Sequence, residues 1–305
     1  MFVLIGYLVV ILCVFGGFAM AGGHLAALFQ PVELLMIGGA AIGAFIVSNN
    51  VKVLKATLGA LGRIFKGSKF KRKTYVDVLT VCFLMFTKIR QTGAISIEDD
   101  VENPENSPIF SRFPDIMKNH HLKDFLLDYF RMLTFASLTP TQIEALMESQ
   151  IDSEHHEELA PVNAITKLAD GMPAFGIVAA VMGVVHTMES VRLPPAELGL
   201  LIAHALVGTF LGILLGYGFV GPLAPLLESY INEDSQVFHM IKRMFIAFLD
   251  GYPPTVAIEF GRKMLPINER PDSPELEAIL KASKSAPAAG GEAAAAPPPP
   301  EPEAA

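Results

Sequence analysis

The chain has 305 residues, of which 51% are hydrophobic and 18% are charged, with a mean hydropathy of +0.44 and a formal net charge of −8. This composition excludes an ordinary soluble domain and predicts a membrane protein with a soluble part. The negative charge argues against nucleic-acid binding, and the two cysteines, Cys13 and Cys82, lack the spacing of a disulfide framework or a metal site.

Four stretches of the chain are apolar enough to cross a bilayer. A hydrocarbon core about 30 Å thick requires roughly 20 apolar residues in a helix. The four stretches are residues 2–21, 32–49, 172–188 and 198–221. The sequence therefore predicts an all-α membrane protein with four transmembrane helices and a helical cytoplasmic domain between spans two and three.

The first stretch has a second interpretation, because Ala19-Met20-Ala21 resembles the cleavage site of a secretory signal peptide. No Lys or Arg precedes this apolar run, however, and the run is long for the hydrophobic region of a signal peptide. We therefore interpret residues 2–21 as the first span.

Basic residues that flank the spans predict the orientation of the chain. Residues 22–31 contain no Lys or Arg, whereas the stretch from Lys52 to Lys73 contains eight. Because Lys and Arg favour the cytoplasmic side, the loop after span two and both termini are predicted to be cytoplasmic. The run Lys66–Lys73 is interpreted as an anchor near anionic lipid headgroups.

The predicted domain organisation follows from these spans. Residues 1–50 hold transmembrane helices 1 and 2, and residues 51–168 form the cytoplasmic helical domain. Residues 169–222 hold transmembrane helices 3 and 4, and residues 223–282 form cytoplasmic C-terminal helices. The Pro- and Ala-rich residues 283–305 have little to bury, so a disordered tail is predicted.

Local patterns predict helices in the cytoplasmic part. The apolar run Tyr75–Phe86 is about 12 residues long and lies between Lys73 and Lys88, so a buried helix is favoured over a fifth span. Thr139-Pro140-Thr141-Gln142 predicts the start of another helix, with a hydroxyl cap and Pro at the first position. Two apolar stripes at helical spacing are predicted to pack against one another: Phe125, Leu126, Tyr129 and Leu133, and Val237, Met240, Ile241, Met244 and Phe248.

Small residues recur at helical spacing in three of the spans. Gly208, Gly212 and Gly216 form a doubled GxxxG pattern in span four, and Gly39-Ala-Ala-Ile-Gly43 forms another in span two. In span three, Gly176, Ala179, Ala180 and Gly183 form a smooth face. Such residues let helix backbones approach closely in lipid. Packing within the chain explains part of this pattern, and association with further copies or with a partner helix is favoured for the rest.

Two prolines stand near the predicted cytoplasmic ends of spans three and four. Pro173 removes a backbone hydrogen bond if it lies beyond the first helical turn, and it then loosens the helix there. Pro222 lies on the same side of the membrane in the deduced topology. The alternatives are that Pro173 is a first-turn proline and that Pro222 only stops a helix.

The spans contain few ionisable groups. Glu33, Asp170 and Glu189 stand at span ends in the sequence, so no carboxylate is predicted at the centre of the membrane. Because an ion pathway normally needs an ionisable group there, the acid should come from another chain. Thr209, between Gly208 and Gly212, is placed to line the route, and His204 is interpreted as a hydrogen-bonding residue within the bundle.

Long blocks of the sequence resemble the MotA family of flagellar motor stator proteins over nearly the whole chain. These blocks stand in order along the four-span layout: GYLVV, VFGG, QPVELLMIGGAAIGAFIV, RQTGAISIEDDVENP, PAFGIVAAVMGVVHT, IAHALVGTFLGILLGYGFVGPLA and VAIEFGRK.

The resemblance implies a function and an assembly. A protein of this family is expected to surround a MotB dimer, whose single span carries the ion-binding aspartate. It is further expected to form a pentamer in the bacterial inner membrane and to convert proton flow into torque. The resemblance implies no enzymatic activity, no cofactor and no bound metal.

The resemblance also implies roles for individual residues. Pro173 and Pro222 match prolines that couple proton movement to shape change, and Ala180 and Thr209 fall along the ion route. Arg90 and Glu98, on either side of a predicted break at Gly93, match a charged pair that contacts the rotor switch protein FliG. Without the family they would be ordinary surface charges.

Two positions depart from or refine the family pattern. Gln150 occupies a position that is acidic in some relatives, so its part in the rotor interface is in doubt. Ala180 stands where sodium-driven relatives carry a threonine, which favours protons as the transported ion.

Three other functional classes are weighed against this interpretation. An energiser of the ExbB and TolQ type would usually have three spans and would lack the block around Arg90 and Glu98. A self-contained secondary transporter would need its own charged or broken-helix site at the midplane. A purely structural scaffold would need neither the two prolines nor Thr209.

Overall fold

The computed structural model describes residues 2–135, 138–190 and 192–285, and this part of the chain is helical, with no strand in it. The predicted all-α fold is therefore confirmed. Most of the predicted disordered tail, residues 286–305, lies outside the described residues.

The α-helices, in chain order, are α1 Phe2–Ile11, α2 Gly17–Met20, α3 Pro31–Ser48, α4 Val51–Lys66, α5 Arg72–Thr92, α6 Glu98–Glu102, α7 Pro114–Lys118, α8 His120–Phe135, α9 Pro140–Glu189, α10 Pro195–Ile213, α11 Leu223–Leu249, α12 Pro254–Met264 and α13 Ser273–Ser285.

Shorter helical segments complete the chain. Leu12–Gly16 and Leu214–Val220 are π-helical, which means that their backbone hydrogen bonds span five residues rather than four. Three short 3₁₀ segments are Leu25–Leu28, Ala94–Ile97 and Phe110–Arg112.

The chain divides into two compact units. The first, here called the span unit, consists of the residues up to Lys69 together with Asp152–Asp234. The second, here called the core unit, consists of Phe70–Ile151 together with the residues from Ser235 onward. Helices α9 and α11 contribute residues to both units.

Four helices in the described part of the chain are long and apolar enough to cross a membrane, judged by length and composition. They are Phe2–Met20, Leu25–Ser48, Pro140–Glu189 and Pro195–Leu249. The four predicted spans fall within these helices to within one residue. The helix that contains Tyr75–Phe86 is not among them.

The core unit is built around large aromatic side chains. Phe86 of α5 is fully buried, and its ring stacks on that of Phe248 with centroids 4.3 Å apart. The rings of Phe130 and Phe245 lie 5.7 and 5.2 Å from it. The two predicted apolar stripes belong to this same cluster. The predictions that Tyr75–Phe86 is a buried helix and that the stripes pack together are therefore confirmed.

Helix α9 begins where the sequence predicts. The Thr139 hydroxyl accepts a hydrogen bond from the backbone N–H of Gln142, and the Gln142 side chain accepts one from the N–H of Thr139. This reciprocal cap satisfies two donors that a helix start leaves open. The helix then runs unbroken for 50 residues through Pro161 and Pro173, which the sequence did not predict.

Part of the basic run after span two is paired with acids of the span unit. The Lys69 ammonium lies 2.8 Å from a Glu158 carboxylate oxygen. Arg63 forms an ion pair with the buried Asp234, whose carboxylate also accepts hydrogen bonds from Ser68 and from the N–H of Lys69. These contacts join α4 to α9 and α11, so Lys69 has a partner other than a lipid headgroup.

Candidate functional site

Helices α9 and α10 of the span unit meet backbone to backbone. A Cβ atom added at Gly176 would lie 2.8 Å from the carbonyl oxygen of Gly208 and 3.0 Å from the Cα of Gly212. One added at Gly212 would lie 2.7 Å from the carbonyl oxygen of Met172. Any side chain at these positions would force the two helices apart. The prediction that small residues let helix backbones approach closely is therefore confirmed for spans three and four.

The glycines of span two have different surroundings. A Cβ atom at Gly38, Gly39 or Gly43 would meet no atom within 4 Å. The small residues of spans three and four are therefore used for packing inside the chain, whereas the GxxxG face of α3 is open. Packing within the chain therefore explains the small residues of spans three and four. The small residues of span two are left for association with further copies or with a partner helix.

Pro173 lies in the interior of α9, so the first-turn alternative is wrong. Because proline has no N–H, it cannot donate the usual hydrogen bond to the carbonyl of Ala169, four residues earlier. That carbonyl oxygen would lie 2.7 Å from a Cβ atom at Gly216, and the Pro173 ring would lie 2.8 Å from the same atom. The weakened turn of α9 is thus pressed against the helix of span four.

Pro222 stands in a two-residue turn between the π-helical segment Leu214–Val220 and α11. The N–H of Gly221 donates to the carbonyl of Gly216 at 2.7 Å, which closes the last wide turn. Since the chain resumes a helix at Leu223, Pro222 marks an interruption rather than an end of the helix.

A residue from span one supports this interruption. The Tyr7 hydroxyl donates a 2.7 Å hydrogen bond to the carbonyl of Phe219, and the two rings lie 5.1 Å apart. A carbonyl close to a break in a membrane helix needs such a donor because lipid offers none. Sequence reasoning missed Tyr7, and nothing in its local sequence predicts a contact 212 residues away.

Ala180 and Thr209 come to the same level of the two helices. The backbone nitrogen of Ala180 would lie 3.3 Å from a Cβ atom at Gly208, the neighbour of Thr209. Both side chains are half-buried. Positions 180 and 209 are also close to the centres of the predicted spans 172–188 and 198–221. The structure thus brings together Ala180 and Thr209, two of the four predicted route residues. Pro173 lies on the same helix interface, earlier along α9 than Ala180.

Glu33 also reaches this level, contrary to the expectation that no carboxylate approaches the centre of the spans. Its side chain is 8% exposed, and its Oε2 would lie 2.9 Å from a Cβ atom at Gly208. Helix α3 begins at Pro31 after the 3₁₀ turn Leu25–Leu28 and packs on α10. The first turn of span two therefore meets the middle of span four. This register between two helices cannot be predicted from the sequence of either helix alone.

The other acids near the spans remain outside this cluster. Asp170 and Glu189 are exposed at the ends of span three. His186 is also exposed, and its Nδ1 lies 3.9 Å from a Glu189 carboxylate oxygen. His204 is half-buried, one helical turn before Gly208.

Arg90 and Glu98 lie in the core unit, on either side of a break. Helix α5 ends at Thr92, and Gly93 has a φ of 89°, so the predicted break is confirmed. Both charged side chains are exposed. Within the described residues no ion pair joins them.

Arg90 also has a role inside the core unit. Its guanidinium donates hydrogen bonds of 3.1 and 3.0 Å to the carbonyls of Gly251 and Tyr252, in the turn after α11. Gln150, at the position that is acidic in some relatives, accepts a 2.8 Å hydrogen bond from the buried Tyr129 hydroxyl. Arg90 and Gln150 therefore both take part in the packing of the core unit.

The described residues offer no group of three or more His, Cys, Asp or Glu side chains that could hold a metal ion. Cys13 and Cys82 are both free thiols. Burial raises the pKa of the Cys82 thiol, which keeps it protonated and unreactive.

Two family models match the chain. The model for the motility protein A N-terminal region matches residues 4–93, and the model for the MotA/TolQ/ExbB proton channel family matches residues 117–240. The two matches contain Arg90, Pro173, Ala180, Thr209 and Pro222, whereas Glu98 lies between the two matched ranges.

Several known proteins are similar over almost their whole length. Motility protein A of Salmonella typhimurium and that of Escherichia coli are each 48% identical, with 93% of this chain and 97% of theirs aligned. Chemotaxis protein LafT of Vibrio parahaemolyticus is 32% identical, with 90% and 97% aligned.

Two solved structures share the fold. The structure of C. jejuni MotAB aligns with a TM-score of 0.72 at 18% identity, covering 89% of this chain and 98% of that one. The flagellar MotAB stator complex from Bacillus subtilis aligns with a TM-score of 0.67 at 20% identity, covering 88% and 96%.

Proposed function

The chain belongs to the motility protein A family, and from this membership we propose that it is a stator subunit of a bacterial flagellar motor. With a MotB partner it forms a proton channel that converts ion flow into torque on the rotor. The observation that carries this conclusion is the 48% identity to two motility A proteins over 97% of their length. The family consists of proton-channel subunits, so no enzymatic reaction is assigned to the chain.

The proposed topology has four spans in the bacterial inner membrane with both termini in the cytoplasm. The four long apolar helices and the basic residues after span two support it. We keep the predicted division into residues 1–50, 51–168, 169–222 and 223–282. In this layout the core unit is cytoplasmic.

The proposed assembly is a pentamer of this chain around a MotB dimer. One face of span three supports the proposal of a partner, because the apolar side chains on that face are exposed in the single chain. The open glycine face of α3 supports contacts between copies. The exposed side chains of span three are Ile177, Val178, Val181, Met182, Val184, Val185 and Met188. The rotor partner proposed for Arg90 and Glu98 is FliG.

The proposed mechanism uses the helix interface described above. Protons pass along the level of Ala180 and Thr209 to the aspartate of MotB. The change of charge there bends spans three and four where Pro173 and Pro222 have weakened them. One charge that crosses a potential of 100 mV releases about 2.3 kcal/mol, so torque requires many protons.

An energiser of the TolQ or ExbB type is the second candidate, since one matching family model includes these proteins. The match of residues 4–93 to a motility-specific model favours the stator. A functional test separates the two, because only a stator rotates a flagellum.

The test is complementation of an E. coli strain that lacks its own motility protein A but retains MotB. We expect this chain to restore flagellar rotation, measured as the speed of beads attached to flagella, while the empty vector does not. Recovery of the chain with MotB from detergent-solubilised inner membranes controls for expression and assembly. A chain that enters the membrane and binds MotB but drives no rotation would contradict the proposal.

A further inference from the structure

One carboxylate oxygen of the span unit is buried without a hydrogen-bond partner in the described part of the chain. Glu33 is 8% exposed, and its Oε2 makes no hydrogen bond within the described part of the chain. A Cβ atom at Gly208 would meet this oxygen together with the Cβ of Ala179 and the backbone nitrogen of Ala180, at 3.2 and 3.3 Å. The oxygen therefore lies where α9 and α10 meet, next to side chains that carry no polar group.

An ionised carboxylate is costly in such surroundings, whereas a protonated one is tolerated because it carries no net charge. Acids inside membrane segments therefore mark ion or proton paths by default. We propose that Glu33 is a proton-binding acid of this chain, at the level of Ala180 and Thr209. In terms of the proposed function, it passes protons along the route toward the partner's acid.

A structural role at the start of α3 does not explain this position. Glu33 lies in the first turn of α3, where a negative charge favours the helix dipole. That interaction is available to an exposed side chain and requires no burial against α9 and α10. The enclosed carboxylate oxygen is what distinguishes Glu33 from Glu197, an exposed acid in the first turn of α10.

The ligand is a proton rather than a metal cation. A sodium ion that sheds its water needs several oxygen ligands, whereas of the three atoms nearest to a Cβ atom at Gly208 only the Glu33 Oε2 is an oxygen. In the proposed step the carboxylate takes one proton from a hydronium ion, so that an O–H bond of the hydronium breaks, the carboxyl O–H bond forms and water is left. In the reverse step the carboxyl O–H bond breaks and the proton passes to water or to the next acid.

The titratable groups around this acid are few. On α10, His204 is half-buried and stands one turn before Gly208. On α9, Asp170, His186 and Glu189 lie near the two ends of span three and are exposed. The two acids of span three are therefore exposed, unlike Glu33.

The first experiment probes the acid directly in the chain without its partner. A hydrophobic carbodiimide reacts with protonated carboxyl groups in apolar surroundings, and peptide mass mapping locates the adduct. In lipid vesicles at neutral pH we expect labelling of Glu33, no labelling of that peptide in Glu33→Gln, and little at the exposed Asp170 and Glu189. Absence of the Glu33 adduct in folded wild-type chain would overturn the proposal. Protection of Glu33 by sodium at fixed pH would also overturn it, since the site would then bind a metal cation.

The second experiment measures proton flux and rotation in the complex with MotB. Glu33→Gln should reduce both severalfold, Glu33→Asp should retain most of each, and the matched control Glu197→Gln should match wild type. Equal flux in wild type and in a Glu33→Gln variant that assembles with MotB would refute the relay while leaving the stator function intact. Glu33→Asp keeps the acid but shortens the side chain. If it loses flux as Glu33→Gln does while assembly is normal, the shape of the side chain rather than proton exchange matters, and the relay is also refuted.

The two experiments separate this inference from the proposed function. If the wild-type complex neither conducts nor rotates, the stator proposal fails, and the labelling result still decides whether Glu33 binds a proton. If Glu33→Gln does not fold, the labelling of wild type and the flux of Glu33→Asp still decide the outcome.

Discussion

The core unit and the span unit hold their helices together by opposite means. In the core unit, Phe86 and its neighbours Phe130, Phe245 and Phe248 fill the space between helices with aromatic rings. In the span unit, α9 and α10 touch through the backbones of glycines such as Gly176 and Gly212. One region is stabilised by large side chains and the other by their absence.

The difference reflects the surrounding solvent. In water, burial of apolar area is favourable by about 25 cal/mol per Å², so large side chains in a core are an advantage. In lipid that driving force disappears, and close packing and polar contacts between helices remain. An enlarged side chain should therefore damage the span unit most, and a truncated one should damage the core unit most.

The largest expected effect is that of Gly212→Val. The added atoms would overlap the backbone of Met172 and Gly176, so α9 and α10 must separate and the ion route is lost. We expect strongly reduced yield of folded chain, measured by size-exclusion chromatography in detergent, and no rotation.

The matched control is Gly39→Val, where the single chain has open space. The Gly39→Val chain alone should fold normally. If it folds as poorly as Gly212→Val, lipid exposure rather than close packing decides the effect, and the contrast between the two glycines is wrong.

The second prediction concerns truncation in the core unit. Phe86→Ala leaves a cavity among three aromatic rings and should lower the free energy of unfolding by about 3–5 kcal/mol. Chemical denaturation of the chain, followed by circular dichroism, measures this loss. Phe135→Ala is the control, because Phe135 is 71% exposed at the end of α8 and its truncation should cost less than about 0.5 kcal/mol. Equal losses in the two variants would contradict the assignment of the core.

The same contrast explains which features the sequence could predict. The spans, the buried helix Tyr75–Phe86, the cap at Thr139 and the break at Gly93 depend on residues close together in the chain, and each was predicted. The contact of Tyr7 with Phe219 and the depth of Glu33 depend on the register between distant helices. In the span unit that register is set by small residues, which show that helices touch but not at which level.

The continuity of α9 was missed for a related reason. Proline inside a helix usually kinks or breaks it, and the predicted boundary between the cytoplasmic domain and span three lay at residues 168 and 169. The structure carries α9 through both prolines, and Pro173 packs on Gly216 there. Of the candidate site, Ala180 and Thr209 are brought together by the same packing, whereas the roles of all six predicted residues remain predictions.

The third prediction separates stability from function in the span unit. Pro173→Ala and Pro222→Ala restore a backbone donor without adding bulk, so the chain should stay in the membrane at the wild-type level and bind MotB. Rotation should stop, because the helices lose the weakened turns that are proposed to respond to the partner's charge. Membrane fractionation and bead rotation measure the two outcomes. Normal rotation in both variants would refute the gating role.

A smaller effect is expected from the two exposed charges of the core unit. Glu98→Lys should leave stability unchanged within about 1 kcal/mol, as exposed charges contribute little. Arg90→Glu should cost about 1 kcal/mol more, because Arg90 also holds the carbonyls of Gly251 and Tyr252. Both variants should assemble in the membrane and lower torque in part.

The control for these charges is Glu105→Lys, a reversal at another exposed acid of the core unit. Torque from bead rotation at high load, and the number of stators recruited to each motor, distinguish a rotor contact from a general charge effect. A double reversal of Arg90 and Glu98 that leaves recruitment and torque at the level of Glu105→Lys would argue against contact with FliG.

The smallest expected effect is that of external sodium, which should leave the rotation speed unchanged. At the level of the route, Thr209 offers one hydroxyl per chain and Ala180 offers none, whereas a sodium ion that sheds water requires several oxygen ligands. A proton needs a carboxylate and a chain of water molecules, and MotB is proposed to supply the first. Replacement of sodium by potassium at constant pH and membrane potential should leave the speed the same, while collapse of the proton gradient should stop rotation. A speed that rises with external sodium at fixed pH and membrane potential would contradict the prediction that protons are the transported ion.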